Sequence, residues 1–522
     1  MASPIYDVLI VGYGPTGMMA AILLGREGHR VAVFERHKTL YNLPRVGIVH
    51  DDVLRMFQQI GCTERIRPST FFLPSYELAN HERILLRNKV TPYATHGWPE
   101  FISIYQPAFE SQLDRLAKEL PSVEVHQGHT VTAVGQDSDA AEITVEDEAG
   151  ATRRVRGRYL IAADGGNSFV RGALDVALDD LGFNQNWLVI DARITRGRAG
   201  LPPYRQFCEP EQPGMTLQMG PEHRRWSFMI FPGESPEEAI KRENVWRRLD
   251  RSDGATPDEF ELIRVVAYQF RSLIAERWRL GRVFLAGDAA HQMPPNLAQG
   301  LCTGFRDAHN LAWKLDLVLK DAATSDLLDS YMPEREQSTR ATVVESMRVA
   351  QNVVETDPER ARQRDTRLIA MQAEIDKGST ALVAFRVPGY KKGLVARNGG
   401  TAAGEAFVQA RVRRGAKEGL FDDVVGNGFA ILARNGDPAA LLSRADIELW
   451  RALDGRIAVI DGAGTDRIDD IEGRYAALLD EHGCDVLVVR PDFYIFGGAA
   501  KVSDLPALIA ELRHRLGDGA AV

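Results

Sequence analysis

Short apolar runs alternate with helical spacing along the first part of the chain. Residues 7 to 11 are apolar after the leading Asp7 and predict a buried strand. The turn Gly12-Tyr13-Gly14-Pro15-Thr16-Gly17 follows, and Met18, Ala21 and Leu24 then recur at helical spacing as far as Gly28. A second predicted strand, residues 30 to 34, is apolar after the leading Arg30 and ends at Glu35. Two later runs also end in an acid and a glycine: YLIAADGG from Tyr159 and VFLAGD from Val283. Between them, residues 187–194, 216–219 and 225–231 alternate as strands separated by Pro and Gly turns, which predicts an antiparallel sheet. Residues 325–375 are charged and helical in period. A Gly-, Ala- and Lys-rich stretch around 388–404 reads as a linker. Beyond it, strands are predicted at 428–432, 457–460 and 485–489, and helices at 471–481 and 505–516. The pattern is α/β, without internal repeats.

The order strand, glycine turn, helix, strand, acid has a physical reading. Gly12 permits a tight turn, Gly14 lets a pyrophosphate approach the backbone, and Gly17 lets helix and strand pack closely. Pro15 and Thr16 open the helix, whose N-terminus offers N–H groups and a positive dipole end to phosphates. Glu35 stands where a carboxylate accepts hydrogen bonds from a ribose, with Arg36 beside it. Asp164 and the pair Gly287-Asp288 follow strand ends, where open α/β sheets bind ligands.

Composition narrows the class. The 522 residues are 44% hydrophobic and 26% charged, which excludes a disordered or collagen-like chain. The balance of 63 basic against 72 acidic residues, formally −9, argues against nucleic acid as a partner. An anionic substrate would therefore need a local Arg or His. Cys62, Cys208, Cys302 and Cys484 form no C-x-x-C pair, so neither a metal site nor a redox disulfide is predicted, and the thiols suit a reducing cytoplasm. No run approaches the ~18 apolar residues of a membrane span, and no signal peptide is read at the start, so a cytoplasmic protein without membrane association is expected.

The fingerprint, with YLIAADGGNSFVR and GRVFLAGDAAHQMPPNLAQGLCTGFRDAHNLAWKL, resembles the single-component FAD-dependent aromatic hydroxylases, the para-hydroxybenzoate hydroxylase family. The stretches GWP (Gly97–Pro99), LGFNQNWLVID (Leu181–Asp191), QFCEPEQP (Gln206–Pro213) and HRRWSFMIFPG (His223–Gly233) look like the branch typified by 3-(3-hydroxyphenyl)propionate hydroxylase. The resemblance implies a Rossmann-type FAD-binding domain (1–75, 101–180 and 268–345) interrupted by a mostly antiparallel β-sheet substrate domain (76–100 and 181–267). It also implies a helical bridge and linker (346–395) and a C-terminal thioredoxin-like α/β domain (396–522). A working thioredoxin needs two close cysteines, and Cys484 stands alone, so that domain reads as structural or oligomeric, with a homodimer as the expected assembly.

The implied reaction uses FAD, NADPH or NADH as co-substrate, and O2. A flavin hydroperoxide delivers one oxygen ortho or para to the hydroxyl of a small phenolic substrate, expected to be a 3-hydroxyphenylpropionate-like acid. The resemblance assigns Asp164 to FAD and nicotinamide, Asp288 to the ribityl hydroxyls, and Arg45 and Gln106 to the cofactor. Pro295 would lie beside the reactive flavin carbon, and Gly300, Leu301 and Cys302 at its pyrimidine edge. Cys302 stands where the family often has Asn, which a backbone contact tolerates. A phenolate is the better nucleophile, so a neutral base helps. His50, just past the Arg45 loop, is the first candidate, the alternative being that it only caps the helix starting at Asp51. His291 reads as a structural partner of the Asp288 turn. Arg193, Arg205 and Arg225 are candidates for a substrate carboxylate, and Trp187, Phe207, Trp226 and Phe228 for an aromatic wall, the alternative for these four being core packing. Two alternatives stand beside this: a tailoring hydroxylase of a larger phenol or polyketide, and a non-catalytic flavin-binding redox sensor or assembly protein. A halogenase is disfavoured because W-x-W-x-I-P is absent.

Overall fold

In the computed structural model, residues 5–196, 200–378, 386–462 and 464–517 are described. The first sheet is built on Tyr6–Val11, which pairs in parallel with Val31–Glu35 on one side and Thr152–Ala162 on the other. Val123–Gln127 extends it in parallel at one edge and Val283–Leu285 on the other side, where the antiparallel Arg279–Leu280 forms the edge. Val8, Leu9 and Ile10 are completely buried, as a parallel strand covered on both faces requires. The helix Pro15–Arg26 begins with proline at its first position, where a missing N–H costs nothing, and it packs beside the long helix Gly300–Leu319.

The second sheet is dominated by the antiparallel pair Leu178–Ile194 and Phe260–Ala275, with Trp187 opposite Tyr268 and Ile190 opposite Val265. These strands run past the sequence-expected ends at 181 and 267. His223–Met229, Gly214–Met219 and Tyr204–Phe207 continue the sheet, and Ser75–Ala79 joins it in parallel with Ile84–Lys89 beyond. Side chains alternate between two faces. Leu188, Ile190, Trp226 and Phe228 pack with Val245 and Leu249 of the helix Arg242–Asp253. The opposite face, with Trp187, Val189, Tyr204, Gln206, Met215, Leu217, Arg225 and Ser227, lines a cleft above the first sheet.

The helices Tyr331–Val354 and Pro358–Asp376 lead toward the C-terminal domain. There Ala430–Ala433 pairs in parallel with Arg456–Ile460 and antiparallel with Val486–Val489, which forms a hairpin with Ile495–Ala499. The helix Leu505–Leu516 closes the unit, giving the βαβ-then-ββα order of a thioredoxin-like core. Its one cysteine, Cys484, is buried, and burial pushes its thiol up to about 11. This domain is anchored through buried charge. Arg55 grips both carboxylate oxygens of Asp422 at 2.7 and 2.8 Å and donates to the Phe407 carbonyl at 2.7 Å. No helix among the described residues is long and apolar enough to cross a membrane.

Candidate functional site

The glycine turn is shaped by close approach. Gly12 has φ of +98°, and a Cβ there would stand 2.3 Å from the Ala163 carbonyl oxygen. A Cβ on Gly17 would stand 2.1 Å from the Gly12 oxygen. Gly14 differs: it lines the cleft, and a Cβ on it would meet open space. Glu35 pins the turn from the neighbouring strand, accepting the N–H of Tyr13 and that of His37, each at 2.9 Å. Arg36 is exposed on the surface and does not line the cleft.

Asp164 is engaged within its own turn. Its carboxylate accepts from the Ser168 hydroxyl at 2.5 Å and the Val170 N–H at 3.0 Å, so it supports the first turn of the short helix whose N-cap is Ser168. Its neighbours Ala163 and Gly165 line the cleft instead. Asp288 reaches into the cleft and accepts no hydrogen bond from the described residues. Desolvation by the surrounding protein raises its carboxyl above the usual range. The turn carrying it is held by Asp307, which accepts from the Gly287 N–H at 2.9 Å, His291 Nε2 at 2.7 Å and Arg335 Nε at 2.9 Å. His291 thus serves this turn through Asp307, not through Asp288. Gly300 and Leu301, at the start of a 20-residue helix, face the cleft. Cys302 turns inward, its thiol pushed up to about 12 by burial.

A clamp fixes the Arg45 loop. Gln106 Oε1 accepts the backbone N–H groups of Arg45 and Val46 at 2.7 and 2.6 Å. Arg225, expected as a carboxylate receptor, lines the cleft, yet its donors are occupied. Nε and Nη2 bind the fully buried Asp191 at 2.7 and 3.1 Å, and its two Nη groups donate to the carbonyls of Arg45 and Pro44 at 2.7 and 3.0 Å.

The other substrate candidates divide by strand parity. Trp187 lines the cleft. Trp226 and Phe228 lie on the opposite face of their strand in the helix-covered core, Trp226 donating Nε1–H to Asp253 at 2.7 Å. Arg193 is on the outer surface paired with Glu261, and Arg205 pairs with Glu77. Neither lines the cleft: Arg205 alternates with the cleft-facing Tyr204 and Gln206, and Arg193 lies beyond the register shift between Asp191 and Ala192, which breaks the alternation begun at Trp187 and Val189.

Beside this first cavity of about 310 Å³ lies a second of about 640 Å³. They share Ile48, Tyr204, Gln206, Asn296 and Ala298. Pro294 and Pro295 form the lip on the first side. His50 lines the second, and Nε2–H donates to the Leu297 carbonyl at 3.3 Å. Burial and the nearby Arg306 guanidinium lower its imidazole to about 4, so it is neutral at pH 7 but a poor base. Its side chain makes no helix-capping bond. Asp307, Gln206 and Asn296 escaped the sequence reading. Asp307 lies inside the motif GFRDAHN, and only its long-range partners reveal its part.

The comparisons with known proteins agree with this architecture. A family model described as "FAD binding domain" matches residues 5–346, and one described as "HcaD C-terminal domain" matches residues 404–515. The chain is 38% identical over 514 residues to the probable NADH-specific resorcinol 4-hydroxylase of Rhodococcus jostii (strain RHA1), covering 97% of this chain and 94% of that protein. It is 34% identical over 510 residues to the 3-(3-hydroxy-phenyl)propionate/3-hydroxycinnamic acid hydroxylase of Mycobacterium sp. (strain JLS), covering 94% and 89%. Among solved structures, the flavin-dependent monooxygenase PieE in complex with FAD and substrate superposes with a TM-score of 0.83 at 23% identity, covering 99% of this chain and 100% of that one. Aklavinone-11 hydroxylase with FAD and aklavinone gives a TM-score of 0.80 at 22% identity, with the same coverage. The chain belongs to the FAD-binding-domain family of flavin-dependent aromatic hydroxylases and is an FAD-dependent monooxygenase.

Proposed function

We propose that this enzyme hydroxylates the ring of a small phenol, with FAD held in the first cavity and the phenol in the second, using NADH and O2. The observation that carries the reading is that the two cavities share Ile48, Tyr204, Gln206, Asn296 and Ala298 in their linings. The two cavities therefore adjoin along one wall. The first cavity suits FAD in three ways. The space in front of Gly14 admits a pyrophosphate that any side chain would obstruct. Two helix N-termini, at Pro15 and at Gly300, direct positive dipole ends at it. Asp288 offers a carboxylate that accepts no hydrogen bond from the described residues to the hydroxyls of a ribityl chain.

In this reading Gly12 and Gly17 shape the turn, Gly14 and Thr16 face the pyrophosphate, and Glu35 takes the adenosine ribose with the acceptor capacity its two backbone contacts leave. Gln106 holds the Arg45 loop at the cofactor, and Gly300 and Leu301 present backbone N–H groups. Bound FAD supplies hydride acceptance and O2 activation. The protein positions the ring, excludes water and tunes charge. His50 holds the Pro295–Leu297 turn through the Leu297 carbonyl, which makes it a positioning residue. NADH is favoured as reductant by the name of the Rhodococcus relative, and the absence of a second glycine fingerprint directs it to the same cleft. Both 3-hydroxyphenylpropionate and resorcinol fall within the class that the relatives' names suggest.

The test is NADH oxidation by the FAD-loaded enzyme with a panel of phenols, with the hydroxylated product quantified by chromatography. At least one phenol should stimulate oxidation and yield stoichiometric product. Bound FAD with no stimulation by any phenol would overturn the reading in favour of a non-catalytic flavoprotein.

A further inference from the structure

At the wall shared by the two cavities, two side-chain amides stand with acceptors unfilled. Gln206 is 4% exposed, and its Nε2 donates to the Tyr204 hydroxyl at 3.0 Å and the Asn296 carbonyl oxygen at 3.5 Å. Its Oε1 is buried and without a partner. The Oδ1 of Asn296, on the adjacent loop, is likewise buried and without a partner. Buried amide oxygens normally find donors, and an unfilled one carries its desolvation cost uncompensated. Both residues line the two cavities, and an O–H donor is what their acceptors lack.

The surroundings say what carries them. Ile48, Leu78, Leu86, Tyr76 and Phe101 give an apolar lining to this inner end. The acid there is Glu100, whose carboxyl burial raises above its ordinary range. The guanidinium of Arg225 is taken up by Asp191, and that of Arg364 by Asp365 and the Cys208 carbonyl. At the outer end, Arg348 and Arg360 pair with Glu345 and Glu355, while Arg367 is held by Asn352 Oδ1. The inner end therefore offers acceptors and apolar surface, and no free cation among the described residues.

We infer that Gln206 and Asn296 accept hydrogen bonds from the hydroxyl groups of an uncharged phenol, so that the preferred substrate is a dihydroxybenzene of the resorcinol type rather than a phenolic acid. The inference rests on the second cavity being the substrate site of the proposed hydroxylase. A site built to hydrogen-bond a substrate hydroxyl rejects an analogue lacking it strongly, because its own polar groups then stay unpaired.

The experiment measures binding to the FAD-loaded enzyme by perturbation of the flavin spectrum, with resorcinol, 1,3-dimethoxybenzene and 3-(3-hydroxyphenyl)propionate. Wild type should bind resorcinol at least ten-fold more tightly than either other compound. Gln206→Met and Asn296→Leu, which keep volume but remove the acceptor, should each weaken resorcinol about ten-fold while leaving FAD content and dimethoxybenzene binding unchanged. Resorcinol binding unaltered in both variants would overturn the inference while leaving the hydroxylase reading intact. Tighter binding of the propionate, lost in Arg367→Ala, would overturn the substrate class. A wild-type enzyme that binds no phenol overturns the hydroxylase reading itself, and the inference with it.

Discussion

Arg490 and Glu334 form a two-pronged ion pair with both side chains completely buried, Nη1 to Oε1 at 3.0 Å and Nη2 to Oε2 at 2.7 Å. Arg490 belongs to the C-terminal domain and Glu334 to the helix Tyr331–Val354, so the pair bolts one unit to the other. Lys314 and the Asn310 amide add donors to Glu334 at 2.7 Å each, as does the Leu394 N–H. Asp492 takes the remaining guanidinium edge at 3.0 and 2.6 Å. Every charge in the cluster has a partner, which is the condition under which a buried ion pair is tolerated. The C-terminal domain is thus a structural part of the flavoprotein.

Breaking this cluster from one side leaves an uncompensated buried charge. Glu334→Gln should cost about 3–5 kcal/mol and lower the thermal midpoint, with the C-terminal domain released first to proteolysis. Scanning calorimetry with limited proteolysis checks it. A variant as stable as wild type would show that the cluster does not hold the domains together.

The same residue gives a pH dependence. The Arg490 and Lys314 charges lower the Glu334 carboxyl to about 2, against an ordinary value of 4.5. A depressed carboxyl contributes stability that is complete above its unfolded value and lost as pH falls toward the folded one. The stability gap between wild type and Glu334→Gln should therefore be full at pH 7 and shrink between about pH 4.5 and 2. Denaturant midpoints at pH 7 and pH 3 measure it, and a constant gap contradicts the assignment.

The glycine turn separates shape from ligand contact. Gly17→Ala places a methyl 2.1 Å from the Gly12 oxygen and should destabilise the fold. Gly14→Ala meets no protein atom within 4 Å, so the apoprotein should melt as wild type while FAD binding weakens at least ten-fold. Thermal melts of apoprotein and flavin titration distinguish the two. Equal FAD affinity in Gly14→Ala would remove the pyrophosphate from that position.

The two motif acids should part company. Asp288→Ala should weaken FAD about 10- to 100-fold with an unchanged fold, since a hydrogen bond to a charged group contributes about 1.5–3 kcal/mol. Asp164→Ala should retain FAD and lose about 0.5–2 kcal/mol of stability, as expected for lost support at a helix N-terminus. Flavin release followed by fluorescence, with circular dichroism for the fold, reads both effects. The opposite pattern would restore Asp164 to the cofactor.

His50→Ala should keep FAD and NADH oxidation but divert oxygen to peroxide, because the Pro295–Leu297 turn loses its tie. An imidazole at about 4 is neutral throughout pH 6–9, so His50→Asn should leave the pH profile of coupling unmoved in that range. An inflection that disappears in His50→Asn would make His50 a base.

Much of the fold is written locally. The Gly12–Gly17 turn, the strands around it and the helix Leu505–Leu516 are legible because each is fixed by neighbours within a few residues. Parity along strands is less so: Trp226 and Arg225 read alike in sequence, and only the helix Arg242–Asp253 decides which face is core. The expected arginine receptor fails for a related reason, since the acid that neutralises Arg225 lies across the sheet at Asp191. Asp307, Gln206 and Asn296 gain meaning only from partners, or missing partners, far along the chain.

Anaerobic stopped-flow reduction of the bound FAD by NADH, with and without resorcinol, decides whether the enzyme is a phenol hydroxylase. NADH-dependent bleaching of the flavin should be accelerated at least ten-fold by the phenol and followed, on admission of O2, by one equivalent of hydroxylated product. FAD that stays oxidised with NADH and every phenol offered would contradict the hydroxylase reading.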